Sequence, residues 1–142
     1  MAAKKVLLDT DILSEYLKGK DVKVAKHAKT YVQEFPTLTF TSITVFEIIR
    51  GLEEKGAATQ SAKALAWLNR NEQIVPVAED YLSAAYIKAR AKRMGRVVEL
   101  PDCLIGAAAS RLGLTLVTGN MSDFEAIKAT GLLLDLANWR LD

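Results

Sequence analysis

Short apolar runs alternate along the chain with longer segments of helical periodicity. The runs that predict β-strands are residues 5–9, 40–43, 73–77, 114–118 and 132–134. Between these runs, apolar residues recur three and four positions apart, which indicates amphipathic helices. Strands that are almost wholly apolar and are separated by helices are typical of a parallel sheet covered on both faces. The pattern therefore predicts an α/β fold.

The predicted helices end at recognisable signals. The first helix ends at Gly19, a second one covers about residues 22–33, and a third one ends before Gly56. A long helix that stops at Gly95 is followed by a helix of small residues that Pro101 opens. The apolar positions that mark these helices are Ile12, Leu13, Tyr16 and Leu17, then Val45, Ile48, Ile49 and Leu52, then Ala62, Leu65 and Leu68, then Leu82, Ala85, Tyr86 and Ala89, and finally 103–109.

Composition narrows the class of protein. The chain has 142 residues, of which 50% are hydrophobic and 25% charged, and its net charge of +2 neither requires nor excludes a nucleic acid. The single cysteine, Cys103, excludes an internal disulfide and a cysteine-based zinc site. No apolar run is long enough to cross a bilayer. We therefore expect one domain over residues 1–142, cytoplasmic and without a membrane partner.

Polar residues that can carry chemistry follow the predicted strands. Asp9 comes directly after the first strand, and Glu47 falls in the first turn of the helix after the second. Asp102 begins the small-residue helix, and Asn120 and Asp123 follow the fourth strand. Ligands of parallel α/β sheets bind at the carboxyl ends of the strands. These side chains are therefore predicted to point toward one rim of the sheet.

Two interpretations of these acids remain open at this point. Each one lies near the start of a helix, where a carboxylate caps free amides, and Glu47 lies off its helix's apolar stripe, as a surface acid would. A cluster of them, however, is strained by repulsion of roughly 4 kcal/mol per pair at about 4 Å. A hard divalent cation such as Mg²⁺ or Mn²⁺ relieves such strain and activates water for attack on a phosphodiester.

Four segments of the chain together resemble the motifs of PIN-domain nucleases. The segments are Leu7-Leu8-Asp9-Thr10-Asp11-Ile12-Leu13, the run from Thr41 to Leu52 around Glu47, the run from Pro101 to Ala109 behind Asp102, and the run from Leu116 to Phe124. Their order and spacing match over essentially the whole chain, and the match is to the VapC-type toxin branch. The resemblance implies a three-layer α/β/α fold with a five-stranded parallel sheet.

The same resemblance implies a function. It predicts an endoribonuclease, the toxin of a type II toxin–antitoxin pair, with RNA as substrate, Mg²⁺ or Mn²⁺ as cofactor, a cognate antitoxin as partner and a homodimeric state. Asp9, Glu47 and Asp102 carry over as metal-binding catalytic acids, and Asp11 carries over less directly. Many relatives have an acid where this chain has Asn120, so that either Asn120 or Asp123 completes the catalytic site.

Other interpretations compete with this one. Asp9-Thr10-Asp11 after an apolar strand also resembles the haloacid-dehalogenase phosphohydrolases, in which Asp9 would be the nucleophile; Leu13 and the absence of a suitable downstream lysine with paired aspartates count against it. A non-catalytic domain that binds RNA or protein is the second alternative. Several basic residues precede Asp102, namely Lys88, Arg90, Lys92, Arg93 and Arg96. They either bind phosphate or stabilise the C-terminal end of their own helix, where positive charge is favourable.

Overall fold

Strands and helices alternate as the sequence pattern predicts. The computed structural model describes residues 4–141, so both ends of the expected domain, residues 1–3 and 142, lie outside the described part. The described residues form five strands and seven helices. In chain order these are β1 (Val6–Leu8), α1 (Thr10–Lys18), α2 (Val22–Tyr31), β2 (Thr39–Thr41), α3 (Ser42–Glu54), α4 (Ala58–Leu68), β3 (Glu72–Ile74), α5 (Ala78–Arg93), α6 (Leu100–Leu112), β4 (Thr115–Val117), α7 (Met121–Ala129) and β5 (Leu136–Ala137).

All strand pairs are parallel, but the strands form two sheets instead of the single five-stranded sheet that was expected. One sheet has the order β1–β4–β5, and the other pairs β2 with β3. β2 lies beside β1, although no ladder joins them within residues 4–141. The Val6 amide donates instead to the Tyr31 hydroxyl at 3.2 Å. In a parallel ladder alternate amides face opposite neighbours, and since the Asp9 amide faces β4, that of Val6 faces β2. Tyr31 thus occupies a donor that a β1–β2 ladder would use.

Helices cover both faces of these strands. Leu7 of β1 belongs to a core cluster with Ile105 of α6 and Phe124 of α7. Its neighbour Leu8 belongs to a second cluster with Leu13 of α1. Successive residues of a strand point to opposite faces, so the two clusters lie on opposite sides of the sheet. The predicted three-layer α/β/α arrangement is confirmed.

The fifth strand was predicted in the wrong place. Residues 132–134 form no strand, and β5 begins at Leu136. The amide of Leu116 donates to the carbonyl of Asp135 at 2.8 Å, so that β4 pairs with the chain only beyond the three leucines. Leu134 is buried among α5, α6 and α7, whereas Leu133 is exposed. The apolar run is therefore a loop segment that packs Leu134 against the helices. Periodicity alone does not distinguish such a segment from a strand.

The start of α3 also differs from the prediction. The side chain of Thr41 accepts from the amide of Thr44 at 3.3 Å and caps the helix, so α3 begins at Ser42. Residues 42 and 43, which were assigned to a β-rich run, are therefore helical. Glu47 is the sixth residue of α3 and lies in its second turn, not in its first.

The long helix α5 is confirmed, but the apolar residues that marked it face outward. Leu82 and Tyr86 are more than half exposed, while Ala84, Ile87 and Ala91 pack into the core. Two of these three core residues are alanines, which a search for large apolar side chains does not find. Within residues 4–141, none of the helices combines the length and apolar character that a membrane span requires.

Candidate active site

Asp9 occupies the junction between β1 and α1. Its backbone amide extends the β1–β4 ladder by donating to the carbonyl of Val117 at 2.9 Å. One carboxylate oxygen accepts from the amide of Thr10 at 2.8 Å, and the other accepts from the hydroxyl of Thr118 at the same distance. The residue is only 5% exposed. The predicted capping role is therefore real, but it uses only one of the two oxygens.

The environment of Asp9 opposes its ionisation. Burial, followed by the negative charge of Asp11, raises the pKa of Asp9 from 3.8 to about 7. The hydrogen bonds from Thr118 and Thr10 act in the opposite direction, and the charge of Asp102 adds to the rise. Fixed donors hold the carboxylate in position without compensating its charge. Such a group binds a cation or a proton readily.

Asp102 lies where the sequence placed it, in the first turn of α6, but it does not act as a cap. No side chain caps the start of that helix. Burial and then the charges of Asp123, Glu47 and Asp11 raise the pKa of Asp102 to about 6. No hydrogen bond offsets these effects. The negative charge of Asp102 is therefore uncompensated within the described residues.

Glu47 reaches the same rim through Thr10. The hydroxyl of Thr10 donates to Oε1 of Glu47 at 2.6 Å and lies 2.9 Å from the hydroxyl of Thr44. Because the single hydroxyl hydrogen of Thr10 is used on Glu47, Thr44 must donate to Thr10. This chain of hydrogen bonds orients Glu47 across the gap between β1 and β2. The surface-acid interpretation of Glu47 is therefore wrong.

Asn120 and Asp123 contact each other at the start of α7. The Asn120 side chain donates to Oδ2 of Asp123 at 2.8 Å, and its backbone amide donates to the Thr118 hydroxyl at 3.0 Å. Arg96 donates to Oδ1 of Asp123 at 3.0 Å. Asp123 is therefore close enough to Asp102 to raise its pKa and is itself partly neutralised by Arg96. Asn120 orients this acid.

The donor chemistry of the rim suits a hard divalent cation, since carboxylate oxygens are the ligands that Mg²⁺ prefers. Asp9 and Asp102 oppose each other electrostatically, and neither has a cationic side chain as its ion-pair partner within residues 4–141. In the same part of the chain, no three acidic, histidine or cysteine side chains already stand at metal-ligand spacing. The residues thus fit an ion held by one or two carboxylates with water completing the shell, the mode that is usual for Mg²⁺.

Three residues of the site were not assigned a role from the sequence. Thr10 lies between Asp9 and Asp11 in the chain and was passed over because only its charged neighbours were considered. Gly119 donates its amide to Oδ2 of Asp11 at 2.9 Å. Arg140, whose Nη1 lies 3.7 Å from the same oxygen, comes from the end of the chain, where no pattern identified it.

The basic residues near Asp102 do not act as one group. Lys88 donates to the carbonyl of Val98, and Arg90 donates to that of Thr130. Only Arg96 reaches a site acid. Arg50, one turn from Glu47, pairs with Glu54 at 3.0 Å. Cys103 and Trp139 are buried in the core.

Comparisons with known proteins identify the fold. The chain is similar to a protein in the DNA-bound VapBC structure from Salmonella typhimurium, with 24% identity, a TM-score of 0.79, and 96% of this chain and 99% of that chain covered. It is similar to one in VapBC-1 from nontypeable Haemophilus influenzae, with 26% identity, a TM-score of 0.77, and 94% and 97% covered. VapC20 from Mycobacterium tuberculosis, a sarcin–ricin loop cleaving toxin, matches at 12% identity with a TM-score of 0.57 and 91% and 97% covered.

No curated protein sequence matches the chain. The family profile described as PIN domain matches residues 6–129, from β1 to the end of α7. The matched range includes all four segments that carry the resemblance. This match covers most of the chain, and it favours neither the haloacid-dehalogenase fold nor an unrelated binding domain. The chain belongs to the PIN domain family.

Proposed function

We propose that the protein is a metal-dependent endoribonuclease and the toxin of a type II toxin–antitoxin pair. The observation that carries this proposal is the uncompensated negative charge of Asp102, which lies close enough to the buried Asp9 to raise its pKa. Two acids from distant parts of the chain, both with a raised pKa, are expected where a cation binds. The fold relatives named above are toxin–antitoxin proteins, and one is a toxin that cleaves RNA.

The contacts of the site residues support the following roles. Asp9 and Asp102 would hold Mg²⁺ or Mn²⁺, and Glu47 and Asp123 would complete the site. The bound ion supplies a Lewis acid and a water of lowered pKa. Thr118 holds the Asp9 carboxylate in position, Thr10 holds that of Glu47, and Asn120 orients Asp123. No side chain has to act as a covalent nucleophile.

The partners and the setting belong to the same proposal. The substrate is RNA, which places the protein in the cytoplasm, and the inhibitor is a cognate antitoxin. Residues 1–142 form one domain, and the protein is a homodimer. The exposed Tyr81, Leu82 and Tyr86 on α5 supply apolar surface of the kind that homodimer interfaces bury. Light scattering of the purified protein measures the oligomeric state directly.

Cleavage of RNA by the purified protein tests the activity. A labelled RNA pool of randomised sequence is incubated with the protein in Mn²⁺, in Mg²⁺ or in EDTA. We expect cleavage only with a divalent ion and a loss of more than about 100-fold in Asp9→Asn, because the metal site is lost. Asp21→Asn is the matched control: Asp21 caps α2 as Asp9 caps α1, and asparagine keeps a cap. Cleavage in EDTA, or full activity of Asp9→Asn, would contradict the proposal.

Growth of cells that express the protein tests the toxin role. Induced expression should arrest growth, and Asp9→Asn should abolish the arrest. Co-expression of the product of the adjacent gene should restore growth by forming a complex with the protein. If the wild-type protein cleaves RNA but never slows growth, the nuclease stands and the toxin role is wrong.

A further inference from the structure

The segment after β5 is fixed to the body of the protein by its neighbours. Trp139 is buried, with its ring stacked on His27 at 5.8 Å and tilted against Tyr31 at 5.9 Å. The backbone amide of Arg140 donates to the side chain of Asn138 at 2.9 Å. The ring of His27 also lies within hydrogen-bond distance, 3.1 Å, of the Leu141 carbonyl. The backbone on both sides of Arg140 is therefore held in place.

The side chain of Arg140 extends from this segment to the rim that carries the acids. Its Nη1 lies 3.7 Å from Oδ2 of Asp11, and its Nη2 lies 3.4 Å from Oε1 of Glu15. Gly119 makes room for it, because a Cβ at this position would overlap the guanidinium and approach the Asp11 carboxylate to 2.8 Å. Gly119 directly follows Thr118, which holds Asp9. Arg140 is thus placed beside the catalytic acids, and the chain leaves space for it.

The contacts of Arg140 differ from those of a structural arginine in the same protein. Arg111 binds Asp80 through two nitrogens at 2.8 and 2.9 Å, within the usual range for charge-assisted hydrogen bonds. The contacts of Arg140 at 3.4 and 3.7 Å are longer, and its side chain is 35% exposed. A guanidinium has five donors, and within residues 4–141 the side chain of Arg140 makes a single hydrogen bond, to Glu15. Arg140 therefore keeps donors for a ligand at the rim.

A phosphate is the ligand that this position fits. We propose that Arg140 binds a non-bridging phosphate oxygen of the RNA strand next to the catalytic acids, as a substrate-positioning residue. This inference rests on the proposed function. The acids at the rim repel an RNA backbone, and a cation beside them offsets the repulsion. A guanidinium also matches the phosphate with two parallel hydrogen bonds, which fixes the strand as well as attracting it.

Steady-state kinetics of Arg140→Gln with the randomised RNA pool in Mn²⁺ test the inference. We expect KM to rise about 10-fold, because a hydrogen bond to a charged phosphate is lost, while kcat changes by less than about 3-fold. The dependence of log KM on log salt concentration should weaken by roughly one phosphate contact. Arg140→Lys should restore the salt dependence but only part of the affinity, since lysine lacks the fork of donors.

The control and the contrary outcomes separate the possible explanations. Arg70→Gln removes the same charge just before β3, at the edge of the sheet opposite the site, and should leave both KM and the salt dependence unchanged. If Arg140→Gln lowers Tm and kcat but leaves KM and the salt dependence as in the wild type, Arg140 only fastens the terminal segment and the inference is wrong. If the wild-type protein cleaves no RNA at all, it is the proposed function that fails.

Discussion

The hydroxyl of Thr118 donates to the carboxylate of Asp9 at 2.8 Å, and both residues are buried where β4 and β1 end. This hydrogen bond lowers the pKa of Asp9 against the larger effect of burial. Thr118→Val keeps the shape of the side chain and removes the donor. We expect a loss of about 1 to 2 kcal/mol in the free energy of unfolding, since the amide of Asn120 also loses its acceptor.

The same variant should change the pH dependence of cleavage. Without the hydrogen bond the pKa of Asp9 rises further, so the half-maximum of a pH–rate profile should move to higher pH. Thr118→Ser, which keeps the hydroxyl, should behave like the wild-type protein. An unshifted profile in Thr118→Val would show that Thr118 does not control the ionisation of Asp9.

Removal of the Asp9 charge should separate stability from activity. In EDTA at pH 8, Asp9→Asn should be more stable than the wild-type protein, by on the order of 1 to 3 kcal/mol, because a buried charge with a raised pKa is eliminated. The same substitution should abolish cleavage. Urea denaturation of both proteins measures the difference. A variant that is less stable than the wild type at pH 8 would mean that the Asp9 carboxylate is a structural group and not a strained one.

The metal-free protein should lose stability as the pH rises. The folded-state pKa values of Asp9 and Asp102, about 7 and about 6, lie above the ordinary value of 3.8, so the folded protein binds more protons than the unfolded chain between pH 4 and 7. Stability therefore falls with increasing pH across this window. Denaturation in EDTA at several pH values from 5 to 8 measures the fall, and added Mn²⁺ should reduce it because the ion replaces the protons. A stability that increases over this range would contradict the pKa shifts.

The hydroxyl of Thr10 should matter for the reaction more than for the fold. Thr10→Val removes the donor to Glu47 and the acceptor for Thr44. We expect kcat to fall by about 10-fold because Glu47 loses its orientation, with little change in KM. Thr10→Ser should retain most of the activity. Equal reductions of kcat in the serine and valine variants would exclude the hydroxyl as the cause.

A buried acid outside the site provides a contrast. Asp80 is 1% exposed. It accepts two hydrogen bonds from Arg111 and one from the amide of Val77. Burial alone would raise the pKa of Asp80, but these partners outweigh it and hold the pKa below the ordinary value. Asp80→Asn should destabilise the protein by about 2 to 4 kcal/mol at pH 7 and leave the binding of Mn²⁺ unchanged. Calorimetric titration of the folded variant with Mn²⁺ measures the second part.

The sequence was sufficient for those parts of the site that depend only on topology. Asp9 was predicted from the rule that parallel strands end at one edge; it directly follows β1, and the charge of Asp102 in the first turn of α6 contributes to its raised pKa. The start of α3 was predicted two residues too late, because Thr41 caps the helix before the apolar stripe begins, and Glu47 therefore lies in the second turn. Local capping decides such boundaries, and a periodic pattern does not record it.

Contacts between distant segments were beyond the sequence. Nothing in the terminal residues indicates that the guanidinium of Arg140 lies beside Asp11. The outward face of Leu82 and Tyr86 was equally hidden, because periodicity locates a helix but does not say which face meets the core. In α5 the ion pair of Asp80 and several small residues determine that face.

The missing ladder between β1 and β2 gives the site a mechanical property. Asp9 stands on one side of this seam and Glu47 on the other, and within residues 4–141 it is the hydroxyl of Thr10 that connects them across it. A displacement of Glu47 relative to Asp9 would therefore break side-chain hydrogen bonds and leave the three backbone ladders intact. A backbone ladder between β1 and β2 would fix the separation of Asp9 and Glu47. Without that ladder, side-chain contacts set this separation.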